Sequence, residues 1–272
     1  MTSIDQALPQ AGGGAFARRT APMQTTDQSP APPLLAVQDL KVYFPRGGAG
    51  WSRRPHDVVK AVDGVSFEIA RGSTLAVVGE SGSGKTTSAL AVMRLAPITA
   101  GTVRLGDTDL GALEGEELRL ARRRLQIVFQ DPFSSLNPRM RAGDAVRAPL
   151  ELMAVGTKAE RDARVAELFT QVGLRPEQQH LFPHQFSGGQ RQRINIARAL
   201  ATKPELVVCD EPVSALDVAI RAQILNLLAK LQRELGLTYL FISHDMAVVE
   251  HLCDEIAVMY LGQIVERAPR GI

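Results

Sequence analysis

The segment TLAVVGESGSGKTTSALAVMRLA, which begins at Thr74, constrains the fold more than any other part of the chain. An apolar run ends at Gly79, the pattern G-x-x-x-x-G-K-[ST] follows over residues 79–86, and a helical pattern comes next. Glycines at these spacings let backbone N–H groups point inward around phosphate, and the helix adds the positive end of its dipole. The segment therefore predicts a strand, a phosphate loop (residues 79–86) and a helix. The expected nucleotide contacts are Gly79, Ser81, Gly82, Ser83, Gly84, Lys85, Thr86 and Thr87.

Three further apolar runs, LQIVFQ, ELVVCDE and TYLFISHD, show no alternation. This is typical of strands buried on both faces of a parallel sheet. The earlier runs LLAVQDLKVYF and VVKAVDGVSFEI mix apolar and polar residues, as in a sheet with one solvated face. Residues 140–185 have a helical pattern, in which Val165, Leu168, Phe169 and Val172 are spaced for one buried face. The chain therefore belongs to the α/β class.

Two acids end the apolar run LVVCDE at residues 206–211. Ligands bind at the carboxyl edge of a parallel sheet. Asp210 is expected to hold Mg²⁺ together with the hydroxyl of Thr86, and Glu211 to act as the general base on the attacking water. Lys85 is expected to neutralise the terminal phosphates.

A second anion-binding corner is predicted in FSGGQRQR, which precedes the helical run INIARALATKP. A serine and two glycines at a helix start present a hydroxyl and backbone N–H groups to an anion. We call Ser187, Gly188, Gly189 and Gln190 the signature segment. One chain thus carries two phosphate-binding elements, although SGGQ alone is also typical of a flexible turn.

These elements, in this order, resemble an ATP-binding cassette (ABC) ATPase from Leu34 onward. The resemblance implies a P-loop NTPase (RecA-like) core with an N-terminal antiparallel β subdomain and an inserted α-helical subdomain at about residues 132–186. The ABC domain would cover residues 34–272, after a Gly- and Pro-rich tail at residues 1–33. In this family the signature segment of one subunit closes over ATP held by the phosphate loop of another, which implies a dimer.

The resemblance also implies roles for single residues. Phe44, or its neighbour Tyr43, would stack on adenine. Gln130 would sense Mg²⁺ and the attacking water, and His244 would contact the γ-phosphate and orient Glu211. The interface loop, which we define as Ser214, Ala215, Leu216 and Asp217, would cross the dimer interface.

Composition narrows the class of ABC protein. The chain has 31 Lys and Arg residues and 29 Asp and Glu residues, which gives a formal net charge of +2. The sequence contains no basic stripe that would indicate binding to nucleic acid and no heptad insertion that would indicate a coiled coil. No apolar run is long enough to span a membrane. Nucleic acid is therefore not expected as a partner. The resemblance to ABC ATPases implies two separate permease subunits, a second ABC ATPase subunit and, indirectly, an extracytoplasmic solute-binding protein.

Five segments, GESGSGKT, QDPFSSLNP, PHQFSGGQRQRI, DEPVSALDV and VMYLGQIVE, resemble the ATPases of dipeptide, oligopeptide and nickel importers. The loop FPRGGAGWSRRPHDVVKAVDGVSF resembles the second of the two paired ATPases in such systems, which favours a heterodimer over a homodimer. Peptide import is expected, at the cytoplasmic face of the inner (plasma) membrane. Import of nickel, glutathione or another small solute is the alternative, and a non-transport ABC ATPase is a second one.

Three smaller expectations complete the sequence analysis. Members of this subfamily continue beyond VMYLGQIVERAP with an extension containing an HPYT-like segment, whereas this sequence ends at Ile272. Arg122, Arg123 and Arg124 are expected on a solvated helix face. Cys209 is expected to be a small core residue, because its strand is apolar.

Overall fold

A computed structural model describes residues 32–45 and 58–270. Most of the predicted tail and the loop at residues 46–57 therefore lie outside the described residues. The helices are α1 (Lys85–Val92), α2 (Gly115–Ala121), α3 (Ala142–Leu152), α4 (Lys158–Gln171), α5 (Gly188–Leu200), α6 (Val218–Leu235) and α7 (Met246–Leu252). The strands are β1 (Leu35–Pro45), β2 (Val58–Ile69), β3 (Thr74–Val78), β4 (Ala100–Leu105), β5 (Thr108–Asp109), β6 (Leu125–Val128), β7 (Leu206–Asp210), β8 (Thr238–Ser243), β9 (Glu255–Tyr260) and β10 (Gln263–Pro269).

Strands β2, β1, β4 and β5 form an antiparallel sheet in that order. Val65, Phe67 and Ile69 alternate with exposed residues along β2 and are buried, because successive side chains of a strand point to opposite faces. The register shifts between Leu40 and Lys41, opposite Val65 and Asp63. This sheet confirms the one-sided strands that the sequence predicts.

The second sheet has the order β10-β9-β3-β8-β7-β6. The five strands from β9 to β6 are parallel, and β10 pairs antiparallel with β9 at the edge. Every residue of β3, β7 and β8 is buried, which explains why their sequences do not alternate. Their side chains divide between two hydrophobic cores, one containing Val207 and Cys209 and the other Leu206 and Val208. Cys209 is fully buried, as predicted.

Helices α3, α4 and α5, which lie between β6 and β7 in the sequence, pack against one another. The four apolar residues that the helical pattern singles out on and after α4 are all fully buried: Val165, Leu168, Phe169 and Val172. Thr157 caps α4 in a capping box with Glu160, and Gly173, at φ 74°, ends it. The helical pattern is therefore confirmed. Among the described residues, no helix is long and apolar enough to cross a membrane.

The segment FQDPFSSLNPRM, residues 129–140, leads from β6 toward α3. Asp131 Oδ1 accepts the N–H of Phe133 at 2.7 Å, and Asn137 Oδ1 accepts the N–H of Arg139 at 3.0 Å. Such side-chain turns, together with two prolines, fix the backbone without a helix or strand. The guanidinium of Arg191 lies 4.3 Å from the ring centroid of Phe133, so this segment also contacts α5.

The expectation that Arg122 and Arg124 lie on a solvated helix face is wrong. Helix α2 ends at Ala121, and Arg122 donates to the carbonyl of Arg94 at 2.6 Å. Arg124 forms an ion pair with Glu205 at 2.5 Å. Both side chains tie the connection between α2 and β6 to distant parts of the chain.

Leu168→Ala is expected to lower the free energy of unfolding by about 2–5 kcal/mol, because it removes the buried Cγ, Cδ1 and Cδ2 atoms from the α4 core and leaves a cavity. Leu152→Ala is the matched control, since that side chain is 75% exposed, and is expected to change stability by less than about 0.5 kcal/mol. Urea unfolding with an unchanged slope measures both values. Equal losses would contradict the burial of Leu168.

Candidate nucleotide site

The phosphate loop connects β3 to α1 through backbone conformations that only glycine adopts easily. Gly79, Gly82 and Gly84 have φ values of 148°, 80° and 104°. A Cβ atom at Gly84 would lie 2.3 Å from the carbonyl oxygen of Ala61, and one at Gly79 would lie 2.1 Å from that of Met259. The loop is therefore shaped by two close backbone neighbours as well as by its own turn.

Lys85 occupies the interior of this loop. Its ammonium donates to the carbonyl oxygens of Gly79 at 2.8 Å and Glu80 at 2.7 Å. The residue is buried, and burial lowers the pKa of the ammonium, while the nearby carboxylates of Glu211 and Asp210 oppose that shift. A phosphate in the loop would add counter-charge next to this buried cation.

Thr86 and Asp210 meet at the same edge of the sheet, with Thr86 Oγ1 donating to Asp210 Oδ1 at 3.1 Å. Asp210 is 7% exposed, and burial raises the pKa of its carboxyl group. A hydroxyl and a carboxylate are oxygen ligands of the kind Mg²⁺ prefers, and a cation here would offset the cost of burying the carboxylate. Thr86 and Asp210 would therefore suit a magnesium ion, which would supply positive charge beside a bound phosphate.

Glu211 follows Asp210 and is held by residues from two neighbouring strand ends. Gln130, after β6, donates from Nε2 to Glu211 Oε2 at 2.9 Å, and Nδ1 of His244, after β8, lies 3.1 Å from Glu211 Oε1. Glu211 itself has φ 46°, an uncommon backbone conformation for a residue with a side chain. The structure thus brings together the three residues that the sequence places at separate strand ends.

One cavity of about 770 Å³ is lined by Lys85, Thr86, Gln130, Glu211 and His244, whereas Asp210 is not among its lining residues. Part of the cavity wall comes from β2 and from the turn between β9 and β10, and no motif of the sequence predicts it. The lining residues are Val59, Lys60, Ala61, Ser81, Gly82, Gly84, Lys85, Thr86, Thr87, Gln130, Glu211, His244, Leu261 and Gly262. The one residue of the sequence that could have indicated this part of the wall is the glycine of LGQ. Gly262 has φ 82° and approaches the backbone of Ala61.

The two aromatic candidates for stacking on adenine differ in their surroundings. The hydroxyl of Tyr43 donates to Asp63, and Lys60 lies 5.4 Å from the centre of its ring. Phe44 is 37% exposed and pairs in the sheet with Val59, which lines the cavity. Phe44 therefore has the freer ring face of the two.

The signature segment begins α5. Ser187 caps this helix, with Oγ accepting the N–H of Gln190 at 3.3 Å, and Gln190 Oε1 accepts the N–H of Ser187 at 3.0 Å. Gly189 has no room for a side chain, since a Cβ atom would lie 2.5 Å from Ile220 Cγ2. Among the described residues that line the cavity, none belongs to the signature segment.

The interface loop leads from Glu211 to α6, whose N-terminal cap position is Asp217. The hydroxyl of Ser214 donates to the carbonyl oxygen of Glu211 at 3.1 Å. Two side chains that sequence analysis did not select hold this region: buried Gln192 donates to the carbonyl of Pro212 at 2.7 Å, and Arg221 donates to that of Leu216 at 2.8 Å.

The family model described as ABC transporter matches residues 62–214, which contain the phosphate loop, Gln130, the signature segment, Asp210 and Glu211. The chain belongs to the ABC transporter family. ATP-binding proteins of ABC transporters are ATPases coupled to transport, so this ABC cassette binds and hydrolyses ATP. The family predicted from the sequence is confirmed.

Two relatives illustrate the similarity. The cassette is 52% identical over 237 residues to a probable peptide ABC transporter ATP-binding protein, y4tS, of Sinorhizobium fredii, and the match covers 87% of this chain and 67% of the relative. It is 50% identical over 234 residues to the oligopeptide transport ATP-binding protein AppF of Bacillus subtilis, covering 86% of this chain and 71% of the relative.

A solved structure supports the same fold. The ATP-binding cassette MJ0796, determined as a dimer in a post-hydrolysis state with ADP and Pi, matches with a TM-score of 0.76 at 29% identity. The match covers 88% of this chain and all of the other. The predicted fold class, a P-loop core with an antiparallel β subdomain and helical parts, is therefore confirmed.

Gly84→Ala is expected to weaken ATP binding by at least about tenfold, because the added methyl group meets the carbonyl of Ala61 and the left-handed φ is strained. Gly72→Ala is the control: it has a similar φ of 74°, but nothing lies within 4 Å of its Cβ position. Titration with a fluorescent ATP analogue measures affinity, and thermal unfolding shows whether both variants stay folded. Unchanged affinity in Gly84→Ala would contradict the shape assigned to the loop.

Proposed function

We propose that this ABC cassette powers the import of peptides through separate membrane permease subunits, with Glu211 as the general base for ATP hydrolysis. The observation that carries the catalytic part is the position of Glu211 between Gln130 and His244, beside the phosphate loop. A carboxylate fixed from two sides at the end of a parallel strand is suited to accept a proton from a water molecule aimed at the γ-phosphate.

The chain's own residues divide the work of hydrolysis. Lys85 and the amides of the phosphate loop stabilise negative charge on the phosphoryl group, because they are already oriented before the reaction begins. Thr86, Asp210 and Gln130 would hold Mg²⁺, which neutralises charge on the β- and γ-phosphates when bound. His244 orients Glu211 and contacts the γ-phosphate, while Phe44 stacks on adenine.

The second half of each ATP site is proposed to come from a partner subunit. The cap hydroxyl of Ser187 and the amides at the start of α5 form an anion-binding helix end, and the cavity lined by the phosphate loop includes none of the described signature residues. Two cassettes arranged head to tail would therefore complete two sites, with the interface loops between them. The dimeric structure of MJ0796 supports the pairing of two cassettes.

The partner is proposed to be a second, non-identical ABC ATPase. The support is the resemblance of the segment from Phe44 to Phe67 to one of two paired ATPases, although part of that segment lies outside the described residues. The complex would be attached to two permease subunits at the cytoplasmic face of the plasma membrane and would receive its solute from an extracytoplasmic binding protein. Closure on ATP and reopening after hydrolysis would then move the permeases.

Peptide is the favoured cargo because both relatives described above carry peptide or oligopeptide transport in their names. The alternative is nickel, glutathione or another small solute. In the proposed complex the cargo would pass through the permease subunits and not through the nucleotide cavity, so the residues around ATP would not select it.

Glu211→Gln is expected to lower steady-state ATP hydrolysis by at least about a hundredfold, because the amide keeps the shape of the side chain but cannot accept the proton. ATP binding is retained, and ATP-bound dimers accumulate. Phosphate release and size-exclusion chromatography with ATP measure the two effects, with Glu234→Gln on the exposed face of α6 as the control. Near-normal turnover would remove Glu211 from the role of base.

The same preparations test the cargo when the chain is reconstituted with its permease and ATPase partners in vesicles. Wild-type complex is expected to drive uptake of a labelled oligopeptide, and the Glu211→Gln complex is not. ATP-dependent uptake of nickel or glutathione in place of the peptide would replace the proposed substrate while leaving the ATPase intact.

Ser187→Arg is expected to leave ATP binding to the isolated chain unchanged and to stop hydrolysis at the site completed by its signature segment. Arginine is too large for a helix end that closes over phosphate. Ser187→Ala is the matched control, because it loses the same helix cap, worth about 1 kcal/mol, without adding bulk. Unaffected turnover of the Ser187→Arg complex would contradict the cross-subunit site.

A further inference from the structure

Arg221 lies in the first turn of α6, directly after the interface loop. Its Nε donates to the carbonyl oxygen of Leu216 at 2.8 Å, and its Nη2 donates to that of Ser214 at 3.2 Å. A single guanidinium therefore binds two backbone oxygens of the interface loop. Its planar set of donors makes this possible, since a lysine ammonium is a point donor on a flexible stem.

The third nitrogen of the same guanidinium contacts a different loop. Nη1 of Arg221 lies 3.5 Å from Oδ2 of Asp245, the residue that follows His244. Asp245 also caps α7, with Oδ1 accepting the N–H of Ala247 at 3.0 Å, and its own N–H donates to Ser243 Oγ at 3.0 Å. Asp245 is thus fixed to its own loop, so Arg221 connects the loop after β7 with the loop after β8.

Both loops contact Glu211. The N–H and hydroxyl of Ser214 donate to the carbonyl oxygen of Glu211 at 3.2 and 3.1 Å, and the His244 ring lies 3.1 Å from its carboxylate. A displacement of the interface loop would therefore move Glu211 in two ways. One is through the backbone that joins them, and the other is through the contacts of Arg221, Asp245 and His244.

Arg221 is poorly placed to contribute much to stability. The Arg221 side chain is 33% exposed and that of Asp245 37% exposed, and ion pairs with such access to water stabilise a fold only weakly. Its geometric effect is larger, because it sets the relative position of two loops that each carry a residue of the proposed catalytic pair.

We propose that Arg221 is a positioning residue that makes the interface loop and the His244 loop move as one unit. Contact of a partner subunit with Ser214–Asp217 then fixes the His244–Glu211 pair, so hydrolysis waits for subunit closure. This inference rests on the proposed function, because it requires that the interface loop meet a partner.

The test compares Arg221→Ala, Arg221→Lys and the control Arg233→Ala, which removes an exposed arginine from the same helix, in the full chain purified with its partner subunits. Arg221→Ala is expected to lower kcat by about ten- to a hundredfold, as for a misplaced catalytic pair, with KM for ATP changed less than about twofold. Arg221→Lys is expected to recover part of kcat, because lysine can still pair with Asp245. Arg233→Ala matches wild type.

Two further variants separate positioning from a structural role. Arg221→Ala in a Glu211→Gln background is expected to form ATP-bound dimers as readily as Glu211→Gln alone. Asp245→Asn, whose amide oxygen can still cap α7, is expected to lower kcat, and the double variant with Arg221→Ala is expected to be no slower than Arg221→Ala itself.

Unchanged kcat in Arg221→Ala beside an active wild type would overturn the role of Arg221 and leave the proposed function intact. Loss of ATP-dependent dimers in the Glu211→Gln background would also overturn it, since Arg221 would then only shape the interface. Absence of ATP hydrolysis by the wild-type complex would overturn the proposed function and the role of Arg221 with it.

Discussion

Parallel pairing of β3, β8, β7 and β6 brings the carboxyl ends of four strands to one edge of a buried sheet. Asp210 is the last residue of β7, and the phosphate loop, Gln130, Glu211 and His244 each follow one of these strands. Because hydrogen bonding and burial on both faces fix the strands, the side chains that leave them start from fixed points. The short distances around Glu211 follow from this register, and the helices that cover the sheet maintain it.

The same edge concentrates features that oppose stability. Lys85 and Asp210 are buried charged groups, Glu211 has a left-handed backbone conformation, and Gly79 and Gly84 bring the loop against the backbones of Met259 and Ala61. Buried charge and strained backbone persist only where the surrounding packing holds them. Here the two hydrophobic cores on either face of the sheet provide that support, so the site remains poised to gain stability when phosphate and a cation bind.

Features that depend on residues close together in the chain could be predicted from the sequence, and contacts between distant residues could not. The phosphate loop, the buried strands and the face of α4 each rest on residues close in sequence, and the structure contains all of them. The packing of Gly262 against Ala61 and the ion pair of Arg124 with Glu205 join residues far apart in the chain. A run of arginines has the same composition whether it faces water or a distant carboxylate, and for this reason the expectation for Arg122 and Arg124 was wrong.

The contact of Arg221 with Asp245 also joins separate segments of the chain. The Arg221 contacts help to explain why two phosphate-binding elements lie in one chain without forming one site. The phosphate loop and Glu211 are fixed by the sheet, whereas the signature segment is fixed by α5 and its packing on α3 and α6. If each cavity is completed by another subunit, Glu211 must be sensitive to that subunit's arrival. The interface loop is bonded to the Glu211 backbone at Ser214 and, through the contact of Arg221 with Leu216, to the His244 loop nearer its other end. A loop held at both ends transmits a displacement that a free loop would absorb, which is the physical requirement for hydrolysis to depend on closure.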